Sequence, residues 1–176
     1  MRAFPSSCTI DSRFPMMRII PKPFDPAAFA PFGECFALRD PSGERHDFAA
    51  TMANGRSHAT LNVSIGRAKP KTAPIKVAAL EKHDASAQVF APIVVSRWLA
   101  AVAPMLADGQ PDFAKLRAFV IDDRIGICYR PNVWHHPFAC FDSTSEMMML
   151  RWDDRTEADT TWANAPVDLD IEIALP

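Results

Sequence analysis

From residue 59 onward the chain is organised in short blocks in which apolar and polar positions alternate. Leu61, Val63 and Ile65 alternate with Asn62, Ser64 and Gly66, the period of two that sends successive side chains to opposite faces of a strand. Leu169, Ile171, Ile173 and Leu175 alternate with Asp168, Asp170 and Glu172 in the same way. Between them, residues 75–83, 87–95, 98–102, 125–129, 137–141 and 146–152 read as further strands, and the apolar run at 87–95 as a buried one. Two helices interrupt the pattern. Asp25 can cap the first, Pro26 suits its first turn and Gly33 can end it. Pro111 and Asp112 open the second, over residues 113–120, with Phe113, Leu116 and Val120 on one face.

Many short strands with two small helices predict a mainly β fold: a closed antiparallel barrel or a sandwich, with two short peripheral helices. Such barrels hold one small ligand at the mouth. Residues 1–17 lack periodicity and read as an N-terminal extension, leaving residues 18–176 as a single barrel domain. At 176 residues the chain is long enough for one domain with a full core.

Charge changes the picture only by exclusion. Nineteen basic against 21 acidic residues give a net charge of −2, so no basic excess points to nucleic acid or to an anionic membrane surface. No apolar run approaches the ~20 residues of a membrane span, and no apolar stretch precedes Pro5 and Asp11 as in a secretion signal. The four cysteines, Cys8, Cys35, Cys128 and Cys140, form no C-x-x-C pair. Free thiols in a reducing, cytoplasmic compartment are the expectation.

The candidate chemistry lies in two segments. Tyr129-Arg130-Pro131-Asn132-Val133-Trp134-His135-His136-Pro137 holds two of the five histidines side by side, and imidazole serves where a proton carrier or a metal ligand is needed near neutral pH. In Glu81-Lys82-His83, positions i and i+2 of a strand share a face, so Glu81 and His83 project together and Lys82 away from them. Of His135 and His136, strand alternation lets one point inward, with Trp134 on the face opposite His135. Arg67 and Arg130 are candidates to hold an anion. The order His83, Gln88, His135 also resembles the cupin ligand pattern, with Glu81 at its first position and Gln88 where a Glu is usual. A neutral amide is a poor ligand for a divalent ion, so any divalent metal held there is expected to be weak and removable.

Several segments occur together and in order: Phe29-Ala30-Pro31-Phe32-Gly33, Asn54-Gly55-Arg56-Ser57-His58, Ser64-Ile65-Gly66-Arg67, Leu80-Glu81-Lys82-His83 with Gln88-Val89-Phe90-Ala91-Pro92, Leu116-Arg117-Ala118-Phe119 and Val133-Trp134-His135-His136-Pro137. Over roughly residues 17–175 they resemble the ureidoglycolate lyase family. The resemblance implies a cupin-like barrel, a homodimer, and cleavage of ureidoglycolate to glyoxylate and urea in allantoin breakdown. On that reading His83, His135 and Glu81 handle protons. Arg67 or Arg130 holds the substrate carboxylate, Gln88 bonds its carboxylate or urea oxygen, and His58 stands at the rim. Arg130 and Gly66 depart from the family's Y-H-x-x-V-W-H-H and S-I-N-R patterns. Two other readings stand beside it: a metal-dependent cupin enzyme acting on another small carboxylate or amide, and a non-catalytic cupin that binds a small acid.

Overall fold

The structure is a computed structural model that describes residues 15–39, 41–45, 47 and 51–175. Its strands, in chain order, are β1 (Met16–Ile19), β2 (Lys22–Pro23), β3 (Gly33–Ala37), β4 (Thr60–Ala68), β5 (Ile75–Lys76), β6 (Ala79–Lys82), β7 (Gln88–Val94), β8 (Arg97–Ala103), β9 (Arg117–Asp122), β10 (Ile125–Tyr129), β11 (Trp134–His135), β12 (Ala139–Phe141), β13 (Ser145–Asp153), β14 (Thr161–Asn164) and β15 (Asp170–Ile173). The mainly β class expected from the alternation is the one observed. Among the described residues the sheets do not close into a barrel. The strands form three sheets, ordered β1-β15-β5, β3-β10-β7-β13-β4 and β14-β6-β11-β8-β9-β2, with β12 paired to β8 off the last path. Two pairings, β1 with β15 and β2 with β9, are parallel rather than antiparallel.

The largest sheet is the middle layer. Along β8, Leu99, Ala101 and Ala103 enter one core with Trp134, Phe141, Ile171 and Ile173, while Trp98, Ala100 and Val102 enter a second with Phe90, Phe119, Ile127 and Tyr129. A strand covered on both faces reads as a continuous apolar run rather than an alternation, which is what residues 98–102 are.

The second helix is not formed beyond a single 3₁₀ turn at Phe113–Lys115. Residues 117–122 are instead β9, paired along its length with β8 from Arg97↔Asp122 to Val102↔Arg117. Phe119, Val120 and Ile121 are aromatic or β-branched and fit a pleated surface. Ala118 and Val120 contact one core and Phe119 and Ile121 the other, so tertiary pairing overrides a weak helical spacing. The first helix, Pro26–Phe29, is one turn, with the Asp25 side chain accepting from Ala27 N–H at 2.9 Å. The stretch 75–83 is broken in two because it changes partners: β5 pairs with β15, and β6 with β14 and β11. Met16 and Met17, which the expected boundary leaves to the extension, lie in β1 against Asp170 and Ile171. Residues 1–14 lie outside the described residues.

Candidate active site

The site lies between the middle sheet and the β3-β10-β7-β13-β4 sheet, where one transverse row of residues faces another. On the middle sheet the register is Trp162↔Glu81↔His135↔Val102. On the facing sheet it is Tyr129↔Gln88↔Arg151↔Asn62. In-register neighbours share a face of a sheet, so these eight residues line one cleft.

Alternation places each group. Leu80 is buried in the first core, and Lys82 lies with its ammonium 5.2 Å from the Trp134 ring. Glu81, and His83 just past the strand, therefore turn the other way. His135 is turned opposite to Trp134 by the same rule. The donor atoms of Glu81, His83 and His135 all lie within 4.8 Å of one another.

Both imidazoles are held by backbone carbonyls. His135 Nδ1 donates to the Val133 carbonyl at 2.8 Å, and its ring stacks on Tyr129 at 4.3 Å between centroids. In the neutral ring that leaves the lone pair on Nε2, which is buried, makes no hydrogen bond and stands 3.5 Å from Glu81 Oε1. His83 Nδ1 donates to the Asp159 carbonyl at 2.8 Å, and its Nε2 meets the Gln88 amide at 3.0 Å. The Gln88 atom placed there is Oε1; a neutral His83 donating from Nδ1 offers only a lone pair at Nε2, which calls for the amide turned to present its NH₂ group. Asp159 is fixed in turn: Arg56 pairs with its carboxylate at 2.5 Å, and the Asp154 N–H donates to it at 3.0 Å.

Burial, then the neighbouring His135, pull His83 below the ordinary imidazole value of 6.5, against the opposing pull of the Asp159 carbonyl and Glu81. Burial pushes the Glu81 carboxyl up, but His135, His83 and Arg151 outweigh it and hold Glu81 below the ordinary carboxylate range. Burial and the Glu81 charge push the Tyr129 hydroxyl well up, so it stays protonated. At neutral pH the cleft thus holds a neutral His83, a carboxylate and a phenol. The open side of the cleft is a groove of about 740 Å³ lined by Asn62, Arg151, Asp153, Thr160 and Trp162 among others.

Of the residues singled out in the sequence, the structure brings together Glu81, His83, Gln88 and His135. It does not bring Arg67, Arg130 or His58 to them. Arg67 pairs with Glu146 at 2.8 Å and its side chain is 67% exposed. Arg130 donates to the Ala30 carbonyl at 2.5 Å, and the exposed His58 bonds Asp154 at 2.9 Å. The arginine in the cleft is Arg151. The pattern carried a signal for it, since Met147, Met149, Arg151 and Asp153 share a strand face and Met147 and Asp153 are buried.

One carboxylate and two imidazoles whose Nε2 atoms face it, that of His135 unbonded and that of His83 met by Gln88, are donors that suit a divalent transition metal. Tautomers fixed by backbone carbonyls, as at both histidines, are also what metal-ligating imidazoles use. The donor set therefore fits a metal ion.

A family model described as ureidoglycolate lyase matches residues 16–171. The chain belongs to the ureidoglycolate lyase family. A ureidoglycolate lyase of Salmonella typhimurium strain LT2 is 32% identical over 142 residues, covering 76% of this chain and 87% of the relative. A ureidoglycolate lyase of Burkholderia cepacia is 34% identical over 135 residues, covering 70% and 73%. Among solved structures, a dTDP-4-dehydrorhamnose 3,5-epimerase from Elizabethkingia anophelis has a TM-score of 0.45 at 10% identity over 80% of this chain and 87% of its own. A 3,4-ketoisomerase from Helicobacter canadensis has a TM-score of 0.42 at 14% identity over 73% and 89%. The two departures from the ureidoglycolate lyase pattern have local accounts. Arg130 closes the C-terminal end of the first helix through Ala30. At Gly66 the space of a Cβ is taken by the Met149 methyl, which would stand 2.6 Å from it.

Proposed function

We infer that this protein cleaves ureidoglycolate to glyoxylate and urea. The substrate is a carbinolamine, with a hydroxyl, a carboxylate and a urea nitrogen on one carbon. Its C–N bond breaks when the hydroxyl proton is removed, the C=O bond of glyoxylate forms and the departing nitrogen takes a proton. No electron changes hands, so no redox cofactor is needed. The observation that carries the reading is His135: a buried imidazole held in one tautomer, with an unbonded Nε2 beside a carboxylate, in a member of this family. Nε2 takes the hydroxyl proton and returns it to the urea nitrogen, and Glu81 stabilises the imidazolium in between. His83, its ring centroid 5.6 Å from that of His135, is the second proton-handling group, with Gln88 holding its Nε2 until substrate enters.

The test is incubation of the purified protein with racemic ureidoglycolate while glyoxylate and urea are both followed. Formation of the two in equal amounts above the spontaneous rate supports the reading, and its absence removes it.

A second reading is favoured by the donor cluster: a metal-dependent enzyme in which Glu81, His83 and His135 hold a divalent ion. Such an ion would supply Lewis acidity toward the substrate's oxygen atoms. Metal content of the purified protein and activity after chelation separate the two. We also propose that the protein works as a homodimer in the cytoplasm. The unpaired thiols of Cys35, Cys128 and Cys140 support a reducing setting. β4 supports a second copy, as the edge strand of its sheet with Leu61, Val63 and Ile65 all exposed.

A further inference from the structure

We propose that Arg151 is the residue that binds the substrate's carboxylate, a role the sequence pattern assigns to Arg67 or Arg130. The inference rests on the ureidoglycolate reading for the identity of the acid, but the site itself stands on geometry. Arg151 follows Gln88 and precedes Asn62 in the transverse row on the cleft wall. Its side chain is 29% exposed and lines the groove, so it is reachable from solvent.

The guanidinium is held but not saturated. Nε reaches Asp153 Oδ2 at 3.3 Å and Nη1 reaches Thr160 Oγ1 at 3.4 Å, both longer than the ~2.7–2.9 Å of a charge-assisted bond. Among the described residues Nη2 has no partner, which leaves donors of the planar fork for a carboxylate. Thr160 Oγ1 also stands 3.4 Å from His83 Nδ1, so the same hydroxyl links Arg151 to the proton-handling pair. Its positive charge acts on both Glu81 and His83, which places it within electrostatic reach of the reacting groups.

The other arginines nearby are less suited. Arg56 is occupied by Asp154, Asp159 and the Trp152 carbonyl. Arg67 and Arg130 point elsewhere, and Arg155, exposed, stands at the rim of the groove. Of these arginines, Arg151 is the one that lies both in the cleft row and in the groove lining. A carboxylate on its fork leaves the adjacent carbon, with its hydroxyl and its urea nitrogen, to face His135.

The test compares wild type with Arg151→Gln, Arg151→Lys, Arg67→Gln and Arg155→Gln, each with its melting temperature. Two readouts are taken: steady-state kinetics on ureidoglycolate, and binding of glyoxylate and of its neutral amide by titration calorimetry. A charge-assisted contact is worth ~1.5–3 kcal/mol, so Arg151→Gln should raise KM by about 10- to 100-fold with a smaller change in kcat. Glyoxylate affinity should fall by a like factor while binding of the neutral amide does not change. Arg151→Lys should recover part of the loss, because charge without the fork is a weaker match. Arg67→Gln and Arg155→Gln should behave as wild type. Unchanged KM and unchanged glyoxylate affinity in Arg151→Gln overturn the proposal, as does a loss confined to Arg67→Gln or Arg155→Gln. If Arg151→Gln melts early, Arg151→Lys decides, and wild-type behaviour there in both assays also overturns it. Should wild type fail to cleave ureidoglycolate yet bind glyoxylate through Arg151, the functional reading falls and the anion site stands.

Discussion

At the scale of single residues, the two adjacent histidines are separated by what their rings meet. His135 is 1% exposed with an open Nε2 beside Glu81, whereas His136 Nδ1 donates to the Pro137 carbonyl and lies outside the donor cluster. His135→Ala should cost ~10²–10⁴-fold in kcat, the usual contribution of a proton-transfer group, and His136→Ala much less; assays of both variants decide. A greater loss in His136→Ala would mean that the wrong imidazole has been given the proton. His83 supplies a pH dependence. Its pKa is lowered from 6.5 by burial first, so the fold favours the neutral ring. That preference stabilises the protein fully above pH 6.5 and is lost as pH falls through the lowered value. Melting temperature and kcat/KM should thus hold to pH 6.5 and decline below it, and His83→Gln should flatten this part of the melting profile. An acid limb of kcat/KM centred above pH 6.5 would exclude His83 as the group that must stay neutral. Glu81 and His83 were legible in the sequence because i, i+2 spacing alone puts them on one face. Arg151 was not chosen because the arginine that enters the cleft depends on the register of β13 against β7, and alternation within one strand does not give register.

At the scale of elements, the chain shows where pattern suffices and where partners decide. The alternation of β4 was legible, but its apolar set faces outward and its polar set inward, Asn62 on the cleft and Ser64 and Gly66 beside Met149 and Met147 of the second core. The period is the same with either face inward. The misread helix at 113–120 has the opposite cause: its spacing fits a helix, while β8 supplies six pairing positions to residues 117–122. Close sheet contacts leave their mark on glycine. A Cβ at Gly33 would run into the Cys128 carbonyl of the neighbouring β10 and stand 3.0 Å from the Phe29 ring. The obstacle is backbone, so it cannot turn aside. Gly33→Ala should destabilise the protein by about 1–3 kcal/mol, the usual cost of overpacking, lowering the melting temperature by several degrees. An unchanged melting curve would mean that β3 and β10 can separate without loss, and that this edge of the sheet is looser than its register suggests.

At the scale of the whole molecule, the cleft and the uncovered face of β4 are two sides of one strand. Asn62 lines the groove, while its neighbours Leu61 and Val63 are 45% and 55% exposed on the outer side. An edge strand with an alternating apolar face is a liability for a lone monomer, because its free backbone edge and its apolar stripe both invite another chain. A second copy packed across a two-fold axis would cover both at once, since an isologous contact needs only one self-complementary patch. Such a contact would also stiffen the strand that carries Asn62 and pairs with β13, and with it the wall that bears Arg151. Val63→Lys tests the arrangement, because a lysine on an edge strand blocks pairing while leaving an exposed position soluble. By light scattering wild type should have twice the chain mass of 19.5 kDa and Val63→Lys the mass of one chain. Kinetics on the monomeric variant then tell whether the wall needs support: a raised KM for ureidoglycolate with little change in melting temperature is the expected result. A wild type that is already monomeric removes the homodimer, and a Val63→Lys that stays dimeric moves the interface to another face.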